Sequence, residues 1–217
     1  PHGEDAEAII AHYLNGKEFV GDVDAKTVAR IMNGRSCASL ETLINEAGIR
    51  AGYLRKSSIE MDDLVQAALK TVFGADDMDD DCENRECYGD GFSEGLMHQI
   101  ACHEAGHTVI AEVLDPGCTT LVSIQPENGR PSGFTSRNMN RMLDPLMSHE
   151  ADILISLGAA AAEECIYGFY GTGASQDFRD AYRTIETMVE DEALLGFSLL
   201  QPQYHCSQTL QNQIESA

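Results

Sequence analysis

The sequence predicts a mainly α protein: a small helical bundle, then a second, largely helical domain that carries one short β segment. Three observations predict it. Four stretches ahead of residue 75 repeat apolar side chains at helical spacing. The tract 75–92, "ADDMDDDCENRECYGDGF", is acidic and poor in apolar residues, as a linker would be. Beyond it, a single stretch near 120–136 alternates apolar and polar residues as a strand does. The expected organisation is a bundle over 1–74, a linker over 75–92 and a second domain over 93–217.

In chain order, "EDAEAIIAHYLNG" sets Ile9, Ile10 and Tyr13 at helical spacing and stops at Gly16. "DVDAKTVARIMNG" offers Asp24 as an N-cap, Val28, Ile31 and Met32 as an apolar face, and Gly34 as the end. "SLETLINEAGIRAGYLRK" puts Leu40, Leu43, Ile44 and Ala47 on one side, and "EMDDLVQAALKTVFG" does the same with Leu64, Ala67, Ala68, Val72 and Phe73. Short connections between four such helices make a small bundle.

The second domain opens with a helix from Ser93 to about Leu114, ended by "DPG". In "TLVSIQPENGRPSGFTSRN", Leu121, Ser123 and Gln125 alternate with Val122 and Ile124, "PENGRP" supplies a turn and "SGFTS" returns. "DPLMSHEADILISLGAAAAEECIYG" is helical and alanine-rich, so a neighbouring helix can approach closely. "GTGASQDFRDAYRTIETMVEDEALLG" begins as a glycine loop, offers Ser175 as an N-cap and continues as a long helix.

The formal net charge is -22, from 14 basic and 36 acidic residues. A surface of that sign repels phosphate backbones, so nucleic acid is excluded as an expected partner. Seven scattered cysteines read as reduced thiols of a cytoplasmic protein rather than a disulfide framework. No apolar run reaches the roughly 20 residues that span a bilayer.

The stretch "IACHEAGHTVIAEVL", Ile100–Leu114, carries the chemistry. Residues four apart lie one helical turn up on the same face, so His103 and His107 can converge on one ion. Glu104 is offset around the axis, where it can take a proton from a metal-bound water. Zinc lowers the pKa of such a water to about 7, so a carboxylate completes the deprotonation at neutral pH. H-E-x-x-H on a helix is the handed-down signature of this metalloprotease arrangement. Gly106 costs about 1 kcal/mol in a helix interior, which suggests that something approaches the backbone there. A catalytic zinc takes three protein ligands and keeps one position open. Glu163, Glu164 and Asp177 are all candidates for the third, and composition and spacing leave the choice open. The alternative for Asp177 is an aspartate favoured in a first helical turn by the helix dipole alone.

Four blocks in order resemble the FtsH-type ATP-dependent zinc metallopeptidases: "HEAGH", "VSIQPENGRPSGFTS", "LGAAAAEECIYG" and "TGASQDFRDA". Upstream, "LINEA" and "MDDL" resemble the helical lid of that family's AAA ATPase module. The resemblance implies that 1–74 is such a lid and that 93–217 is an α-helical zinc metallopeptidase domain with a short β segment. It implies one Zn²⁺ per chain on His103, His107 and Asp177, with Glu104 as general base, hydrolysing unfolded or membrane-derived polypeptides. Glu163 and Glu164 then become candidates for orienting a ligand imidazole. The β segment, with Ile124 and Gly133 at its edge, becomes a place for an extended substrate to add as a strand. ATP would act only through an ATPase core expected ahead of Pro1, in a homo-hexamer that is membrane-anchored through an N-terminal segment.

The chain departs from that family's pattern in several places. Ala160 stands for arginine, Gln176 for asparagine, Cys37 for glycine and Ser39 for aspartate, and "MVEDEALLGF" is shorter than the family's W-G-M segment. These departures support a second reading, a non-proteolytic assembly or chaperone-like module that keeps the fold.

Overall fold

A computed structural model of the chain describes residues 1–15, 17, 23–74, 94–124, 132–138, 144–192 and 194. The expected acidic linker over 75–92, the "PENGRP" turn over 126–131, and the stretch beyond 194 lie outside the described residues. The architecture is mainly α, with seven α-helices and one two-stranded sheet among the described residues. Two compact units emerge: one holds Pro1–Ile100 together with Thr120–Asn138, and the other begins at Ala101.

The first unit contains α1 (Gly3–Leu14), α2 (Ala25–Ile31), α3 (Cys37–Tyr53) and α4 (Met61–Phe73). Local chemistry sets their ends. Asp24 caps α2 by accepting from the Lys26 N–H, and Ser36 caps α3 by accepting from the Ser39 N–H. Glu60 and Asp63 form a capping box on α4, and Gly74, at φ 73°, closes it in the left-handed conformation glycine tolerates. α1 ends at Leu14, with Asn15 at its C-cap, one residue ahead of the expected Gly16. The apolar faces meet as the periodicity requires: Ile10, Val28, Met32, Leu40, Leu43, Ile44 and Leu64 are fully buried in one cluster. Each such side chain contributes about 1.5–3 kcal/mol through burial. Asp63 is the buried polar exception. Its carboxylate takes Arg50 Nη1 at 2.7 Å, Lys56 Nζ at 2.9 Å and the Glu60 N–H at 2.9 Å, so its charge is matched on every side.

The sheet pairs β1 (Thr119–Ser123) with β2 (Phe134–Arg137), and Leu121 packs on the bundle core of this first unit. The alternation predicts that Ile124 and Gln125 continue the strand, and Gln125 lies outside the described residues. β1 stops at Ser123, and Ile124 follows it without ladder pairing.

The second unit is built on α5 (Glu94–Leu114, from Ala101 onward), α6 (Pro145–Tyr167) and α7 (Ser175–Glu186), the last extended by one π-helical turn over Thr187–Asp191. Asp144 caps α6 ahead of Pro145 in the first turn, and Gly168, at φ 77°, ends it. Ser175 is not the N-cap of α7. A 3-10 turn over Thr172–Ala174 runs directly into the helix, and the Ser175 hydroxyl donates back to the Thr172 carbonyl at 2.5 Å. No helix among the described residues is long and apolar enough to cross a membrane.

Candidate metal centre

Helix α5 brings His103 and His107 onto one face, and its fit against α6 depends on glycine. A Cβ at Gly106 would lie 2.5 Å from the Gly158 carbonyl oxygen and 2.7 Å from Ala159 Cα. A Cβ at Gly158 would lie 2.7 Å from Ile110 Cγ1 and 2.9 Å from the Gly106 oxygen. What approaches the backbone at Gly106 is therefore α6 itself. The alanine-rich stretch is what permits it, with Ala159 and Ala160 both buried.

That close crossing lets α6 hold both imidazoles from behind. His103 Nδ1 stands 2.7 Å from Glu163 Oε1, and His107 Nδ1 stands 2.7 Å from the Ile155 carbonyl oxygen. A carbonyl oxygen only accepts, so His107 Nδ1 carries a proton and Nε2 is the nitrogen left facing the other side. The two rings stand nearly perpendicular, at 86°, with centroids 4.9 Å apart.

On that other side is Asp177, in the first turn of α7. Its Oδ2 is 3.2 Å from His103 Nε2 and its Oδ1 is 3.4 Å from His107 Nε2. The three ligand atoms all lie within 4.8 Å of one another. Donors at ordinary zinc bond lengths on a tetrahedral ion stand roughly 3.3 Å apart, so this spacing suits a shared cation. Two neutral imidazoles with one carboxylate is also a donor set that zinc accepts in catalytic sites.

The electrostatics follow from this enclosure. Burial pulls the His103 imidazole down, but its hydrogen bonds to Asp177 and Glu163 prevail and raise its pKa from 6.5 to about 9. His107 shifts upward in the same way: burial opposes protonation, and Asp177 with the Ile155 carbonyl overcomes it. Burial would raise Asp177, yet the two histidines hold its carboxyl well below the usual carboxylate range. The ionised Asp177 carboxylate thus faces two imidazoles whose charged form it favours. Cys102 precedes His103 but is not one of the clustered ligand atoms, and burial first and Glu163 second push its thiol upward.

The remaining candidates separate clearly. Glu104 is only 5% exposed, on the helix that carries both histidines, and its charge adds to the upward shift of His103. Glu163 is 2% exposed and is the carboxylate that faces His103; its other oxygen accepts from the Gly171 N–H at 2.8 Å. Glu164, its neighbour, is exposed and is absent from the cluster, because one residue along α6 turns the side chain away. Ile124 and Gly133 are half-buried and belong to the first unit, whereas the three clustered residues belong to the second. Two anchors escape sequence reading. The Ile155 carbonyl and the Gly171 N–H are backbone groups, which residue type does not announce.

Residues 92–214 match the model of peptidase family M41. The chain belongs to peptidase family M41. Over 192 residues it is 31% identical to the ATP-dependent zinc metalloprotease FtsH of Lactiplantibacillus plantarum, an alignment that covers 87% of this chain and 24% of that protein. It is 31% identical over 194 residues to FtsH 1 of Methylacidiphilum infernorum, covering 87% and 29% respectively. Against FtsH 2 of Symbiobacterium thermophilum the figures are 32% over 193 residues, 87% and 31%. The chain thus spans about a quarter to a third of the length of these relatives. The M41 match takes in the two histidines, Asp177 and both strands. In this M41 chain Ala160 is buried on α6, and the Gln176 side chain donates to Asp180 Oδ1 at 2.8 Å. Neither departure falls on a clustered residue.

Proposed function

We propose that the second unit is a zinc endopeptidase centre in which His103, His107 and Asp177 hold one Zn²⁺ and Glu104 is the general base. The single observation that supports this most is the pair of Nδ1 anchors. With His103 tied to Glu163 and His107 to the Ile155 carbonyl, both Nε2 atoms converge on the Asp177 carboxylate. Packing alone does not require two imidazoles to turn the same nitrogen towards one buried-side carboxylate.

Bound zinc supplies a Lewis acid that lowers the pKa of water to about 7 and polarises a scissile carbonyl. The chain's own residues do the rest. Glu104, held on α5 beside His103, accepts the proton released as water attacks the peptide carbon. The same carboxylic acid then returns that proton to the leaving amine. Glu163 holds His103 in one orientation and tautomer throughout, and α6 does the same for His107 through its backbone.

The relatives' printed names carry ATP dependence and zinc, and this chain covers only part of their length. We extend the reading accordingly. The four-helix bundle over 1–74 acts as the lid of an ATPase module, residues 75–92 link it to the peptidase domain, and the whole protein works as a homo-hexamer on unfolded polypeptides. The strand pair, with Ile124 and Gly133 at its ends, offers an edge on which an extended substrate adds by main-chain hydrogen bonding.

The test is zinc analysis with turnover of an unstructured, casein-like substrate. Native protein is expected to carry one zinc and cleave it slowly, and Glu104→Gln to keep the zinc while losing at least about a hundredfold in rate. Native protein that is zinc-replete yet leaves the substrate intact would overturn the hydrolase reading in favour of the non-proteolytic assembly module.

A further inference from the structure

The crossing of α5 and α6 brings together two sulfurs that the chemistry above does not use. The helices run antiparallel there: His107 meets the Ile155 carbonyl, Gly106 packs on Gly158, Ala159 and Ala162, and His103 meets Glu163. A Cβ added to Gly106 would stand 2.8 Å from Ala162 Cβ, so these two positions face each other. One turn on from that contact, four residues back along α5 and three residues forward along α6, stand Cys102 and Cys165. The two steps turn the side chains by similar angles, about 40° and 60°, to the same flank of an antiparallel pair. The helical register therefore sets Cys102 opposite Cys165.

The surroundings of the two thiols fit that register. Cys102 is buried, and after burial itself it is Glu163 and Cys165, both on α6, that push its thiol upward. Cys165 is exposed, so one member of the pair meets solvent and the other lies behind it. Because the helices meet through glycine, facing backbones come closer than at the usual axis separation of about 8–10 Å. That moves them towards the roughly 4.4–6.8 Å that a disulfide spans between Cα atoms. Cys118, the other buried thiol among the described residues, packs with Ala111 and Ile155, about two and a half turns along α5 from Cys102.

We propose that Cys165 and Cys102 form an oxidation site that takes a peroxide and closes a reversible disulfide between α5 and α6. Cys165, in solvent, attacks one oxygen of hydrogen peroxide as its thiolate. The O–O bond breaks, the departing hydroxide takes up a proton as water, and the sulfur becomes a sulfenic acid. The Cys102 sulfur then attacks the sulfenic sulfur, forms the S–S bond and expels hydroxide, which leaves with the Cys102 proton as a second water. In sum two thiols lose two electrons and two protons, and one peroxide becomes two waters. A bridge that opens again on reduction suits thiols otherwise kept reduced. It spans the same turn of the two helices as the His103–Glu163 hydrogen bond, so it fixes the crossing on which the metal cluster stands, whether or not that cluster hydrolyses peptides.

The experiment treats the full chain with a small excess of hydrogen peroxide, blocks the remaining thiols and maps peptides under non-reducing conditions. The native protein is expected to give a Cys102–Cys165 linkage within one chain, cleared by dithiothreitol. Its melting temperature, once peroxide is removed, is expected to stand about 5 °C or more above that of the reduced protein. Cys165→Ser abolishes the linkage. Cys102→Ala stops the reaction one step short, so labelling of the Cys165 sulfenic acid by dimedone rises at least about fivefold over native. A native map in which Cys165 ends as a sulfinic acid, or pairs with any other cysteine, overturns the proposal. A melting temperature that falls on oxidation does so as well, since the bond would then have forced the helices from their crossing. Equal dimedone labelling in native and Cys102→Ala proteins also overturns it, and the native map decides the matter should that variant fail to fold.

Discussion

At the residue scale, Glu163 serves two partners at once. Its Oε1 faces His103 Nδ1 at 2.7 Å, and its Oε2 accepts from the Gly171 N–H at 2.8 Å, so it joins α6 to the loop that delivers Asp177. Glutamine at this position keeps one acceptor oxygen and loses the other. Glu163→Gln is therefore expected to weaken zinc binding by roughly tenfold, read by competition with a chromophoric chelator. Protons compete for the same nitrogens. With His103 raised to about 9, a metal must displace a proton from it at neutral pH. Zinc affinity should climb as pH rises from 6 and level off above about 9, with proton uptake by buffer visible in calorimetry. In the metal-free protein the sign reverses. A histidine raised above its ordinary 6.5 contributes stability that is complete below 6.5 and lost as pH rises through about 9. Asp177, depressed, contributes stability present above the ordinary carboxylate pKa and lost on acidification below it. Thermal unfolding of chelated protein should accordingly be most resistant between about pH 4 and 6.5 as far as this cluster governs it. A melting temperature that rose steadily from pH 6.5 to 9.5 would contradict the assignment of these shifts.

At the element scale, the centre depends on how closely α5 meets α6. Alanine in place of glycine inside a helix ordinarily stabilises by about 1 kcal/mol. At Gly106 the new methyl would meet backbone atoms of Gly158 and Ala159 inside 3 Å, which no side-chain rotation relieves. Gly106→Ala is therefore expected to destabilise, by about 1–3 kcal/mol, against the sign of helix propensity. Chemical denaturation with a chelator present checks it, and a stabilising result would mean that the helices do not cross there as described. Moving α6 back should also loosen both Nδ1 anchors, since the Ile155 carbonyl and Glu163 lie on the same helix. α7 reaches the centre by a different device. Its 3-10 entry replaces an N-cap side chain, and the turn sets Asp177 towards the histidines.

At the scale of the whole molecule, much of the design is written in side-chain pattern. The four bundle helices follow from the repeats that buried Ile10, Val28, Leu40, Leu43, Ile44 and Leu64, and the histidine spacing fixes one face of α5. Asp177 was legible as a candidate: spacing left Glu163 and Glu164 level with it, and only the family resemblance favoured it, because no local rule ranks carboxylates that stand 3.2 and 3.4 Å from imidazoles 74 and 70 positions away in sequence. Ser175 misled for a local reason: serine hydroxyls bond to nearby backbone in several ways, and here the carbonyl of Thr172 won over a cap. The division into two units, with the strand pair grouped beside the bundle, also lies beyond pattern reading, since the strands adjoin the histidine helix in sequence. The proposed centre is a single ion shared by α5 and α7, on His103, His107 and Asp177. The most direct measurement is the zinc dissociation constant of the Asp177→Asn protein against the native chain at pH 7.5. The account predicts one site per native chain and an affinity at least about tenfold weaker in Asp177→Asn; equal affinity and equal stoichiometry in the two proteins would contradict it.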